Sequence, residues 1–244
     1  MPRVRFIRLV VFGTMWLPFV LWLTPLALAQ TRKVFVPGTR AVVFDERLAA
    51  LRARPDVKAP LTQRLRRGRR IGILATLTTR SGAKFYRVAV SRNTRGWVLA
   101  EAILRPGNAN DAQRLWQLTE ETSDDFTKVR LARLCADEFR ATKFAPKALR
   151  SLGETAERAA ERLTRDAKRR VGDEEPSAGL RKRDYFLNYV GLDRYNRIGV
   201  TFDFDEAAER IVYDGAAYRE LLRRYPRSQE AADIRARQEK LTTR

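Results

Sequence analysis

The chain has 244 residues, 44% of them apolar, which supports one large or two small packed domains rather than disorder. It holds 49 Lys and Arg against 29 Asp and Glu, no histidine, and one cysteine, Cys135. These counts exclude Ser-His-Asp and Cys-His nucleophile systems, His-ligated zinc and an internal disulfide. The net charge of +20 attracts polyanions such as nucleic acid, acidic lipid or anionic cell-wall polymers. Along the chain, however, the basic residues are interleaved with Glu and Asp, the pattern of solvated faces. Nucleic acid is therefore not the expected partner.

Arg3, Arg5 and Arg8 form a positive start, and residues 9–23 are apolar apart from Gly13, Thr14 and Pro18. Pro25 and the small-residue pattern Ala27-Leu28-Ala29 follow. This tripartite layout predicts a signal peptide over residues 1–29, cleaved after Ala29. The mature protein is then exported, periplasmic or extracellular, and keeps a net +17 once those three arginines are lost from +20. The alternative is an uncleaved anchor in the inner membrane, because residues 9–29 nearly span a bilayer. Pro18, Pro25 and the Ala27/Ala29 pair favour cleavage.

Residues 33–106 have β texture. Lys33-Val34-Phe35-Val36 precedes the turn Pro37-Gly38, and residues 40–44 form a second run. A polar, Arg-rich loop holding Pro55 and Pro60 comes next. Ile71, Ile73, Ala75 and Leu77 then alternate along one face up to the turn Ser81-Gly82. Tyr86, Val88 and Val90 alternate on the next strand, and Arg92-Asn93-Thr94 turns into Gly96-Trp97-Val98-Leu99. Short strands at close spacing predict a small barrel or sandwich, and the period of two predicts one buried face.

Three stretches together resemble the bacterial SH3 (SH3b) domain: Leu65-Arg66-Arg67-Gly68-Arg69-Arg70-Ile71, Phe85-Tyr86-Arg87-Val88, and Arg95-Gly96-Trp97-Val98. The family's Asn-Val-Arg-Ser-Gly-Pro-like stretch is replaced by Ala41-Val42-Val43-Phe44-Asp45-Glu46. The resemblance implies an SH3-like β-barrel that binds cell-wall peptide or glycan, or positions a partner domain, without catalysis. Tyr86 and Trp97 are the candidate binding residues, since aromatic side chains give large contact area at low entropic cost. Core packing is the competing role for both.

Residues 110–244 turn to helices rich in Ala, Leu, Glu and Arg. Asp111 is placed to cap a first helix carrying Leu115, Trp116 and Leu118. Thr122-x-x-Asp125 has capping-box form ahead of a second, in which Leu131, Leu134, Cys135 and Phe139 share a stripe. Cys135 reads as core packing. A third helix opens near Pro146, with Leu149, Leu152, Ala156, Ala159, Leu163 and Ala167 on one face. Its other face offers the i,i+4 pairs Glu154/Arg158, Glu161/Arg165 and Asp166/Arg170, and Gly172 ends it. A linker is expected at residues 172–180. Beyond it, Asp205 is placed to cap a helix through Ala208, Ile211 and Val212. Tyr218, Leu221, Leu222 and Tyr225 line the next, and Pro226 and Ser228 open the last.

The stretches around Phe144-Ala145-Pro146 and Tyr225-Pro226-Arg227-Ser228 echo one another. The second resembles the tetratricopeptide-type helix pairs of bacterial envelope proteins, where Pro stops one helix and presets the next. Asp203-Phe204-Asp205-Glu206 is the one acidic cluster suited to acid/base work or a hard cation. No glycine-rich phosphate loop is present.

The fold expected is α+β, with an SH3-like barrel over residues 33–106 followed by an α-helical, TPR-like or bundle domain over residues 110–244. The function expected is a non-catalytic envelope protein with peptidoglycan or an envelope protein as partner and neither cofactor nor metal. Two alternatives stand beside it. One is a charge-driven binder of anionic polymer or lipid headgroups. The other is a wall-modifying enzyme using carboxylates.

Overall fold

Val42, Val43, Ile71, Phe85, Tyr86 and Val88 belong to the β-branched and aromatic class that packs well on a pleated surface, and each lies in a strand. The computed structural model describes residues 37–173, 181–188 and 190–242. The signal segment 1–29, the β run at 33–36 and residues 174–180 of the expected linker lie outside the described residues. The strands are β1 (Thr39–Val43), β2 (Ala50–Arg52), β3 (Leu61–Arg64), β4 (Arg70–Thr78), β5 (Lys84–Ala89) and β6 (Arg95–Leu99). A 3-10 turn at Ala100–Ala102 leads into β7 (Ile103–Leu104). They form one antiparallel sheet in the order β3-β2-β6-β5-β4-β1-β7, with β3 and β7 at its ends.

Two strands correct the sequence reading. β2 and β3 lie inside the stretch taken as an Arg-rich loop, because runs of three and four residues are too short to show a period. The face assigned to β4 is also wrong beyond Ile73. The register against β5 slips between Ile73 and Ala75, so Leu74 is an extra residue. Ile71 and Ile73 join the β core, while Ala75 and Leu77 turn to the opposite, exposed face. A bulge inverts the alternation downstream of it.

Ala41, Val43, Leu51, Ile71, Tyr86, Val88, Val98 and Ile103 pack as one core. Val42, Phe44 and Leu104 alternate to the other side and join the core of the helices. The described residues belong to one compact unit.

The helices are α1 (Ala109–Glu121), α2 (Asp125–Glu138), α3 (Phe144–Asp173), α4 (Lys182–Leu187) and α5 (Val190–Asn196). After a hairpin come α6 (Ala216–Arg224) and α7 (Gln229–Thr242). The stripe Leu149, Leu152, Ala156, Ala159, Leu163 and Ala167 makes α3 the spine of this half, and all six are buried. Caps differ from expectation by a few positions. Asn108, not Asp111, caps α1, and Asp124, not Thr122, caps α2. Asp111 instead accepts from the Arg105 N–H at 3.0 Å. Glu154 pairs with Arg150 at 2.8 Å rather than with Arg158, which turns toward Asp125.

The expected helix from Asp205 to Val212 is a β-hairpin, β8 (Phe202–Asp205) and β9 (Arg210–Tyr213). Phe202/Phe204 and Ile211/Tyr213 alternate with a period of two, and Glu209 adopts the left-handed φ of 46° in the turn between them. That alternation outweighs the helix propensity of Glu206-Ala207-Ala208. The two echoing Pro stretches lie near the α2–α3 and α6–α7 connections, with Phe144-Ala145-Pro146 in the first turn of α3 and Tyr225-Pro226-Arg227-Ser228 ahead of α7. Phe139 and Tyr225 end the preceding helices in the same way, each N–H bonding the carbonyl four residues back. The Tyr225 hydroxyl donates to the Arg140 carbonyl at 2.8 Å, so the two turns touch.

Candidate functional site: a cationic sheet face around Trp97

The pairing of β5 with β6 sets Tyr86 opposite Val98 and Arg87 opposite Trp97. Successive strand residues point to opposite faces, so the two candidate binding residues do not share a site. Tyr86 points into the β core and is 5% exposed. Trp97 is half-buried on the outer face. There the register aligns Ala75, Arg87, Trp97, Arg52 and Leu61 in one row across β4, β5, β6, β2 and β3. Directly opposite residues hold their Cβ atoms about 5 Å apart, so Trp97 stands between Arg52 and Arg87 in the row. Arg95 lies two residues along β6 from Trp97 on the same face, paired with Ala89. Arg64 pairs with Ala50, the outward neighbour of Arg52 on β2.

The charge of the chain is gathered on this half. Residues 37–106 carry sixteen Lys and Arg against four Asp and Glu, a net +12. Residues 107–244 carry 28 against 25, a net +3. The interleaving of opposite charges noted along the sequence therefore holds only for the helices. None of the four acids lies on a strand. Asp45 and Glu46 follow β1, Asp56 sits between β2 and β3, and Glu101 is in the 3-10 turn. Among the described residues, ion pairs of residues 37–106 are confined to Arg40, Arg47, Arg70 and Arg105. Arg52 Nη1 donates to the Ala59 carbonyl at 2.6 Å, which anchors its guanidinium without neutralising it. No carboxylate pairs with Arg64, Arg87 or Arg95 among the described residues.

Sequence reasoning found Trp97 and missed its two partners. Arg52 lay in the supposed loop, and its register with Trp97 is a tertiary fact. Arg87 was readable, since a residue alternating with buried Tyr86 and Val88 must face outward.

The other candidate groups are engaged elsewhere. Asp203 pairs with Arg183 at 2.7 Å and accepts the Phe204 N–H at 2.8 Å. Asp205 pairs with Arg210 at 3.6 Å and accepts the Ala208 N–H at 3.1 Å. These acids shape the hairpin. Among the described residues no group of three or more Cys, Asp or Glu is placed to hold a metal ion. Cys135 is buried, and burial pushes its thiol up to about 12, which makes it a poor nucleophile at neutral pH. Two grooves on the helical half, of about 380 and 520 Å³, mix both signs of charge. Lys128, Lys147, Glu120 and Glu230 line the first, and Lys168, Arg210, Glu157 and Glu161 the second. The sheet face, unlike these two grooves, presents basic side chains without acids around an aromatic residue.

Comparison of the chain with family models, with curated proteins and with solved structures finds no match in any of the three. No described helix is long and apolar enough to cross a membrane.

Proposed function

We propose that the protein is a non-catalytic binding protein of the cell envelope, exported by residues 1–29, which holds an anionic wall ligand on the outer face of its sheet. The observation that carries this reading is the row Arg52–Trp97–Arg87 on strands that bear no acid. The indole supplies apolar contact area, and the guanidinium groups supply bidentate donors for carboxylate or phosphate. In this reading the sheet serves as an SH3-like barrel, as the sequence resemblance implies. The helical half serves as a TPR-like scaffold for a protein partner.

A second reading has one observation of its own. The concentration of +12 on residues 37–106 suits a purely electrostatic binder of anionic polymer or lipid headgroups.

Co-sedimentation of the mature protein with purified peptidoglycan, at low and at physiological salt, separates the two. Wild type and Trp97→Ala are compared. Wall binding through the Trp97 row predicts retention at physiological salt and a loss of roughly 2 kcal/mol or more in the variant. Trp97 faces away from the β core, so the variant is expected to fold. Binding that vanishes with salt and ignores the substitution sinks the wall-ligand reading in favour of the electrostatic one.

A further inference from the structure

We infer that the ligand of the Trp97 face is a carboxylated polysaccharide, an inference that rests on the binding reading above and names the chemistry within it. The face offers one ring platform, Trp97, with a cation one strand away on each side. Neighbouring strands lie about 4.8 Å apart. Arg87 is exposed and one strand from Trp97, which brings its cation within side-chain reach of a ligand stacked on the indole. A uronic acid suits this arrangement, because its carboxylate is attached to the same ring whose C–H face lies on the aromatic. One sugar residue then engages the indole and one guanidinium together, and the next residue meets the guanidinium on the far side.

Two other anionic polymers fit less well. Single-stranded nucleic acid is held by stacking successive bases on successive aromatic side chains. Among the described residues this face has one ring to offer. Phe85, on the same side of β5, is only 1% exposed, and Tyr86 points the other way. A peptide that docks through its backbone does so by adding a strand to an open sheet edge. The edge strand β3 has four residues and a register shift against β2, and β7 has two residues. Short and bulged edges resist strand addition. Recognition here rests on side chains alone, which suits a polymer without a peptide backbone.

The experiment uses the full mature chain and four probes: polygalacturonate, neutral dextran, polyglutamate and oligothymidylate. Affinities are measured for wild type, Trp97→Ala, Trp97→Phe and Arg87→Gln. Arg87 makes no ion pair among the described residues and is exposed, so Arg87→Gln tests the site without disturbing the fold. The expected result is binding of polygalacturonate at least about ten-fold tighter than polyglutamate, and none of dextran. Trp97→Ala brings polygalacturonate down to the polyglutamate level, Trp97→Phe restores most of the difference, and Arg87→Gln weakens both acids. Equal affinity for polygalacturonate and polyglutamate, indifferent to Trp97, overturns the polysaccharide inference and leaves the binding reading standing. Tightest binding of oligothymidylate overturns it in favour of a nucleic acid. Failure to bind any of the acids, together with failure to bind peptidoglycan, overturns both.

Discussion

Arg70, at the start of β4, donates from Nε to Glu138, the last residue of α2, at 2.8 Å. Arg40 of β1 donates to the other carboxylate oxygen at 2.6 Å. The Glu138 side chain is 1% exposed, while the two arginines are 60% and 63% exposed. This asymmetry predicts unequal costs. Glu138→Ala leaves two arginines that solvent can rehydrate. Arg40→Ala with Arg70→Ala strands a buried carboxylate, which is the costlier outcome. The double variant should lose at least about 1 kcal/mol more than Glu138→Ala. Urea denaturation of both measures the difference, and equal losses would refute the argument.

Gly153 lies on α3 where α6 crosses it. A Cβ at this position would sit 2.3 Å from Cε1 of Tyr218. Tyr218 is held by its neighbours and its hydroxyl meets Arg237 at 3.3 Å, so the ring cannot swing away freely. Gly153→Ala is expected to destabilise the protein by about 1–3 kcal/mol, despite the higher helix propensity of Ala. A lower urea midpoint with an unchanged slope is the expected outcome.

Thr164 ties the hairpin to the spine. Its hydroxyl accepts the Ile211 N–H at 2.9 Å and donates to the Ala160 carbonyl at 2.8 Å. Thr164→Val keeps the shape and leaves a buried N–H unpaired, at a cost of about 1–3 kcal/mol. Thr164→Ser restores the hydroxyl and should recover most of that loss. Faster amide exchange at Ile211 in the valine variant alone is the local signature to look for.

Stability should fall in alkali. Burial pushes the Tyr213 phenol from the ordinary 10.0 up to about 12, and burial raises Tyr195 and Tyr218 as well. The folded state keeps protons that the unfolded chain releases above its own, lower pKa. The unfolded state then binds fewer protons, so the unfolding free energy decreases as pH rises. The contribution is whole below pH 10.0 and is lost as pH climbs toward about 12. Urea midpoints at about pH 8 and about pH 11 should show the drop, with a shallower drop for Tyr213→Phe. An unchanged midpoint would contradict the burial of these phenols.

Much of the architecture is readable in one dimension. The α3 stripe from Leu149 to Ala167 repeats at helical spacing, and each of its six residues is buried in the helical core. The Tyr86-x-Val88-x-Val90 alternation likewise names the β core. What the sequence by itself determined is thus the periodic elements, the core packing of Cys135 in an apolar stripe, and the outward direction of residues alternating with buried ones. Local periodicity carries that information because each residue's face depends only on its near neighbours.

Tertiary structure alone decided the rest. The bulge at Leu74 reversed the face of Ala75 and Leu77, and strand pairing made a hairpin of Phe202–Asp205 and Arg210–Tyr213. Val42, Phe44 and Leu104 left the β core for the helical one, across the change in composition near Pro106. Above all, Arg52 and Arg87 are 45 and 10 residues from Trp97 in the chain, yet they flank it in space. The alignment follows from antiparallel register, a relation between distant segments set by which hydrogen bonds form. No periodicity within one segment encodes it.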